Sequence, residues 1–191
     1  MQEQGPVVVG VSGASGAPVA VKLLQGLRTA GCPAVVVASA GGLAVVREET
    51  GLEPEALGRL ADARYADDDL AAPIASGSRP TRGMAIVPCS STTVAKIALG
   101  LGDTLLTRAA HVHLKERRPL IVVPRETPMP TILLRHLTTL SELGVVVLPP
   151  APAFYLRPAS IDDVTGDLAG KVLDHLGVAH ALDRGWKEGA G

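Results

Sequence analysis

Near its start the chain carries Val7, Val8, Val9 and Val11, a β-branched run that breaks into Ser12-Gly13-Ala14-Ser15-Gly16. Apolar residues then return at helical spacing, at Val19, Leu23, Leu24 and Leu27, until Gly31. A strand without polar alternation must be buried on both faces, and a parallel sheet covered by helices on each side meets that condition. Gly31 stands where helices commonly end. Strand, small-residue turn and helix together read as the first βα unit of an α/β fold.

The alternation continues along the chain. Ala34–Ala38 reads as a second buried strand, and Ser39 opens a helix running towards Thr50. A short polar helix at 53–60 leads into an acidic loop with Asp67, Asp68 and Asp69. Ala75-Ser76-Gly77-Ser78-Arg79-Pro80 reads as a loop. The third strand is 84–87, closed by Pro88; helices follow at 90–100, with a polar N-terminal cap, and at 104–117. Strand 120–123, helix 129–143 and strand 145–148 bring the strands to five. A Pro-rich loop, 149–158, precedes a last helix at 161–176. The pattern predicts an open doubly wound sheet, a Rossmann-like or flavodoxin-like three-layer sandwich around a central parallel sheet. One domain spans 1–191, with its core at about 6–178 and a C-terminal tail at 179–191.

Composition narrows the function classes. The 191 residues are 47% apolar, 19% charged and only 2% aromatic. The core must be built from Val, Leu, Ile and Ala, which bury less area per residue than aromatics do. The low charge and apolar excess leave room for burial between copies in a homo-oligomer. Eighteen basic and 19 acidic residues give a net charge of -1, which argues against a nucleic-acid or membrane-surface partner. Cys32 and Cys89 have neither a metal-ligand spacing nor a disulfide framework. No signal-peptide pattern opens the chain and no apolar run reaches ~18 residues, so a cytoplasmic protein without a membrane span is expected.

In doubly wound sheets ligands sit at the carboxyl ends of the strands, so the residues after each strand are the candidates. Small residues after strand one let backbone N–H groups approach a phosphate at a helix start, with Ser15 as a further donor; a plain tight turn is the alternative. After strand three, Pro88-Cys89-Ser90-Ser91-Thr92-Thr93 holds more hydroxyl and thiol groups than a helix cap requires. Arg108, His111 and Lys115 fall at i, i+3 and i+7 on one helix face. On spacing alone that stripe reads as a solvated face paired with acids, with anion binding as the alternative. Arg125-Glu126 follows strand four, either as a surface ion pair or as a ligand-contacting guanidinium beside an acid/base carboxylate. Phe154-Tyr155, two of only four aromatics, sit in the Pro-rich loop as a loop anchor or a phosphate contact. His113, His136, His175 and His180 have no spaced acidic partner that suggests a metal site or a triad, and read as structural or exposed.

Six segments in order resemble the UbiX family of flavin prenyltransferases, over nearly the whole chain: Ser12-Gly13-Ala14-Ser15-Gly16-Ala17, Ser76-Gly77-Ser78, Met84-Ala85-Ile86-Val87-Pro88-Cys89-Ser90, Leu114-Lys115-Glu116-Arg117-Arg118-Pro119-Leu120, Pro124-Arg125-Glu126 and Pro152-Ala153-Phe154-Tyr155. The resemblance implies trimers within a dodecamer, with FMN between subunits. It implies metal-independent transfer of a dimethylallyl group from dimethylallyl phosphate to N5 and C6 of reduced FMN, with the prenylated FMN passing to a UbiD-type decarboxylase. By position, Gly13, Ala14, Ser15, Ser39, Ser90, Ser91, Thr92, Thr93 and Arg125 would contact FMN. Ser76, Gly77, Arg108, Lys115, Tyr155 and Lys171 would hold the prenyl phosphate, and Ser15, Glu49 and Glu126 would be catalytic. Two positions depart from the family pattern: Leu70 stands where the family has Trp, and Lys171 where it has Arg, which keeps the charge but loses the bidentate fork. The competing readings are a non-catalytic FMN carrier or decarboxylase-associated subunit, and a flavin-dependent decarboxylase of the peptidyl-cysteine type. The latter would carry Pro-Ala-Ser-Ala-Asn-Thr where this chain has Pro88-Cys89-Ser90-Ser91-Thr92-Thr93.

Overall fold

The computed structural model describes residues 5–182. In chain order the elements are β1 (Val7–Val11), α1 (Ala17–Thr29), β2 (Ala34–Ala38), α2 (Ala40–Thr50), α3 (Pro54–Gly58), β3 (Ala63–Ala66), β4 (Gly83–Cys89), α4 (Ser91–Ala98), α5 (Leu105–Lys115), β5 (Leu120–Pro124), α6 (Thr131–Glu142), β6 (Val146–Val147) and α7 (Ile161–His175). Short 3-10 turns occupy Pro73–Ala75 and Phe154–Leu156. The six strands form one sheet in the order β3-β2-β1-β4-β5-β6, parallel throughout. The doubly wound parallel sheet expected from the sequence is the observed fold.

Burial explains the unbroken apolar strands. β1, β2, β4 and β5 are buried at every position, and successive side chains enter opposite layers. Val7, Val9 and Val11 pack with Leu23, Leu24, Leu27, Val172 and Leu173 of α1 and α7. Val8 packs on the other face with Met84, Ile86, Leu105, Leu106 and Leu133. Each fully buried valine contributes roughly 1.5–2 kcal/mol at most by area. No helix among the described residues is long and apolar enough to cross a membrane.

Several elements differ from the sequence reading. A sixth strand, β3, stands ahead of the acidic residues, where no strand was expected. Its sequence, Ala63-Arg64-Tyr65-Ala66, alternates between half-buried and exposed positions. It is an edge strand held by pairing with β2, a tertiary effect that outweighs weak local propensity. β4 does not close before Pro88 but runs on to Cys89, with its register to β5 shifting between Ile86 and Cys89; proline has no N–H to give the ladder. Phe154 and Tyr155 are not anchors packed on the sheet, being 78% and 59% exposed. His180 Nε2 lies 3.2 Å from Asp174 Oδ1, in keeping with the structural role the sequence suggests. Of the tail read as 179–191, residues 183–191 lie outside the described residues. Leu182 packs on α1, its Cδ1 only 3.1 Å from where a Cβ on Gly26 would stand.

Candidate active site

Strand order reverses between β1 and β4, and in such sheets the crevice outside the carboxyl ends of the strands at that point is where ligands bind. Ser12 ties its floor together. This serine is 1% exposed; its N–H donates to the Pro88 carbonyl at 3.1 Å. Its hydroxyl donates to the same carbonyl at 3.0 Å and accepts from the Ser90 N–H at 2.7 Å. Sequence reasoning treated Ser12 only as the start of a small-residue run. A polar residue directly after a wholly apolar strand was the available signal.

One wall is built from β1, α1 and α2. Ser39 caps α2, its Oγ accepting from the Gly42 N–H at 3.1 Å. A Cβ on Gly42 would lie 2.3 Å from the Val11 carbonyl oxygen, and one on Gly13 would lie 3.3 Å from the Gly41 Cα. Bare backbone on both sides is therefore what lets α2 begin against the end of β1. From there α2 reaches the start of α1, where Glu49 Oε2 accepts from the Gly16 and Ala17 N–H groups at 2.9 Å each. The helix start that the sequence marked as a phosphate cradle thus holds a carboxylate of the same chain, a placement the helix dipole favours. The N–H groups of Gly13 and Ser15 and the Ser15 hydroxyl have no partner among the described residues.

The opposite wall is the β4–α4 turn with the end of β5. Ser90 Oγ caps α4 by accepting from the Thr93 N–H at 3.2 Å, and it meets Thr93 Oγ1 at 3.0 Å. Capping thus accounts for Ser90 and Thr93. Ser91 instead donates to Glu126 Oε2 at 3.0 Å, and Glu126 Oε1 accepts from the Thr127 N–H at 3.2 Å. Arg125 is exposed and, like the Thr92 hydroxyl, has no partner among the described residues. Arg125 and Glu126 are therefore not a surface ion pair with each other. Burial pushes the Cys89 thiol far above its ordinary range, which removes it as a nucleophile. The unengaged donors of Gly13, Ser15, Thr92 and Arg125 fit an acceptor-rich ligand such as FMN, with Glu49 and Glu126 on opposite walls.

Of the residues assigned to the prenyl phosphate, Ser76, Gly77 and Lys115 do not join this crevice within one chain. The first N–H of α5, on Leu105, donates to Asp67 just beyond β3. Eleven residues of helix carry Lys115 about 15 Å towards the other end of the sheet. There the Met84 N–H, at the start of β4, donates to the Pro119 carbonyl at 2.9 Å. Lys115 pairs with Glu116 at 2.6 Å, and a Cβ on Gly77 would stand 2.7 Å from Lys115 Nζ. Ser76, Gly77 and Lys115 form one group, at the amino end of β4. Arg108 lies in the first turn of α5, exposed and without a partner among the described residues. His111, the third member of the stripe, meets the Ile97 carbonyl at 3.2 Å. Tyr155 projects from the turn before α7. Lys171 sits three turns along α7, 3.5 Å from Asp174.

Arg118 holds the Ser76–Gly77 loop, a role that its place in a run of basic residues does not signal in the sequence. Its guanidinium donates to the Gly77 and Arg79 carbonyls at 2.7 and 2.8 Å and to Thr81 Oγ1 at 3.2 Å. Thr81 in turn meets His113 Nε2 at 2.9 Å, while His113 Nδ1 lies 2.7 Å from the Ala109 carbonyl. The carbonyl can only accept, so Nδ1 carries the proton and Nε2 accepts from Thr81. Burial pushes His113 down to about 4, keeping it neutral.

A parallel sheet with a small-residue turn and unengaged donors at its switch point defines a nucleotide-binding α/β protein. The Flavoprotein family model matches residues 1–172, and the chain belongs to that family. It is 49% identical over 180 residues to the flavin prenyltransferase UbiX of Thermoplasma acidophilum, covering 94% of this chain and 99% of that one. Its place is among the UbiX-type flavin prenyltransferases. Among solved structures, AnUbiX (PadA1) in complex with FMN and dimethylallyl pyrophosphate superposes with a TM-score of 0.95, at 38% identity, covering 97% of this chain and 99% of that chain. A dodecameric FMN-dependent UbiX-like decarboxylase from Escherichia coli O157:H7 gives 0.93, at 41% identity, covering 96% and 100%.

Proposed function

We propose that this protein is a cytoplasmic flavin prenyltransferase that moves a dimethylallyl group from dimethylallyl phosphate to N5 and C6 of reduced FMN, without a metal, making prenylated FMN for a UbiD-type decarboxylase. The observation that carries the reading is 49% identity over 94% of the chain to a flavin prenyltransferase UbiX. The strand-end geometry supports it, because Gly13, Ser15, Ser39, Ser91, Thr92 and Arg125 all follow the carboxyl ends of strands in one sheet, with donors of Gly13, Ser15, Thr92 and Arg125 left unengaged among the described residues.

Reduced FMN supplies the nucleophilic atoms. The Gly13–Ser15 backbone, Ser15, Ser39, Ser91, Thr92 and Arg125 bind and orient it. Ser91 keeps the Glu126 carboxylate in place for proton movement at the flavin edge, and Glu49 faces the developing allylic charge from the other wall. Departure of phosphate gathers negative charge on its oxygens, which Lys115, Arg108, Tyr155, Lys171 and the Ser76–Gly77 backbone would meet as fixed donors. Leu70, 46% exposed, offers an apolar surface to the allyl group in place of a ring.

The distance between Lys115 and the crevice supports a site completed by another copy of the chain, as trimers within a dodecamer. The exposed apolar side chains Leu99, Leu101, Phe154 and Ile161, at 63, 50, 78 and 77%, suit burial between copies. Glu126→Gln separates transferase from carrier. The transferase reading predicts FMN binding retained and turnover down by roughly 10²–10⁴-fold. Wild-type protein that binds FMN and leaves it unmodified, with no effect of the substitution, would favour a carrier.

A further inference from the structure

Of the longer helices, α1 and α6 begin without a side-chain cap, α6 on Pro130 and α1 on Gly16, and of the two only α1 has its first N–H groups held by a carboxylate distant in sequence. α2, α4, α5 and α7 begin on side-chain caps, Ser39, Ser90, Thr104 and Ser160. α1 begins on Gly16, with no side-chain cap bond. Its first N–H groups are answered instead by Glu49, 33 residues away. Gly16 has φ +123 and ψ 17, a conformation that residues with a side chain rarely adopt. Crowding does not explain the glycine, because a Cβ there would meet only the Pro88 Cβ, at an ordinary 3.5 Å. The backbone angles do. The φ and ψ of Gly16 set the angle between its own N–H and that of Ala17. Both converge on one oxygen, Glu49 Oε2, at 2.9 Å each, as successive N–H groups do when a left-handed residue turns them towards one anion.

We propose that Gly16 is a positioning residue: its left-handed backbone aims paired N–H donors that fix the Glu49 carboxylate on the wall of the crevice. The inference rests on the reading of Glu49 as a catalytic carboxylate. Glu49 is exposed, and a free glutamate on a helix surface samples several rotamers. The paired bonds select one. In Gly16→Ala the side chain drives φ away from +123, the two N–H groups diverge, and Glu49 is released.

Four proteins test this: wild type, Gly16→Ala, Glu49→Ala and the double variant. The readouts are anaerobic prenylation of reduced FMN, FMN affinity, melting temperature and a crystal structure of Gly16→Ala. Misplacing a reacting group by about an ångström costs up to about 100-fold, so kcat of Gly16→Ala is expected to fall roughly 10- to 100-fold. FMN affinity and the donor KM should stay within about threefold of wild type, well below the kcat effect. In the crystal Glu49 should lie beyond hydrogen-bond reach of residues 16 and 17. In the Glu49→Ala background, adding Gly16→Ala should change kcat no further. Wild-type kcat in Gly16→Ala, or a fully additive loss in the double variant, overturns the proposal while leaving the catalytic reading of Glu49 intact. Wild-type kcat in Glu49→Ala overturns both. If Gly16→Ala does not fold, Glu49→Asp, which cannot span the same gap, must give the same fall in kcat with FMN affinity retained, and a wild-type kcat there overturns the proposal.

Discussion

Ser12→Ala should loosen the crevice by removing the hydroxyl that links the end of β1 to Pro88 and Ser90. The lost hydroxyl donates to the Pro88 carbonyl at 3.0 Å and accepts from the Ser90 N–H at 2.7 Å. Pro88 keeps a bond from the Ser12 N–H at 3.1 Å, so only the Ser90 N–H is left without a partner. A lost hydrogen bond costs about 1 kcal/mol and a stranded, partly buried donor adds a further ~1–2, giving about 2–3 kcal/mol. For a chain of this size that lowers the melting temperature by about 4–12 °C. Urea unfolding at one fixed protein concentration, needed because assembly adds to apparent stability, would measure it. Ser91→Ala, which removes only the bond to Glu126, is the control, with an expected loss of about 0.5–1 kcal/mol. FMN affinity should fall in Ser12→Ala as the β1 and β4 ends separate. A loss below ~0.5 kcal/mol with unchanged FMN affinity would refute the view that Ser12 sets the crevice.

His113 makes the fold acid-sensitive. Its folded value is about 4 against 6.5 in a free imidazole, so between those values only the unfolded chain binds the proton. Its contribution is whole above pH ~6.5 and is lost as pH falls towards 4, by up to about 3 kcal/mol. Urea midpoints of His113→Gln between pH 4.5 and 7 should therefore rise less steeply with pH than those of wild type; parallel slopes would contradict this. In Gly77→Ala the new Cβ would lie 2.1 Å from Glu116 Oε1 and 2.7 Å from Lys115 Nζ. These are flexible side-chain ends, so stability should change little while the donor KM rises and FMN affinity holds. Co-expressed Lys115→Ala and Arg125→Ala subunits, each inactive alone, should recover part of the activity in mixed assemblies. No recovery would place the whole site within one chain.

The strands most legible in the sequence were those buried on two faces. Val7–Val11, Ala34–Ala38 and the β5 run announce themselves because no polar residue interrupts them. β3 did not, since Ala63-Arg64-Tyr65-Ala66 becomes a strand only through β2. The crevice residues were legible for a related reason: each follows directly on a strand, and strand ends in such sheets share one edge. The hold of Glu49 on α1 was not. It depends on Gly41 and Gly42 allowing α2 to start against β1, a contact that no local pattern encodes. Arg118 was hidden inside a basic run in which its neighbours had equal claim. The separation of Lys115 from the crevice follows from α5 ending beside the start of β4, and residue spacing alone does not report it.

The central claim is prenyl transfer to the flavin. Purified protein would be incubated anaerobically with reduced FMN and dimethylallyl phosphate, and the extracted flavin weighed by mass spectrometry. A flavin heavier by one C5H8 unit is the predicted result, and it would establish that Leu70 and Lys171 support the reaction. Bound but unmodified flavin, with the diphosphate donor equally inert, would contradict the claim.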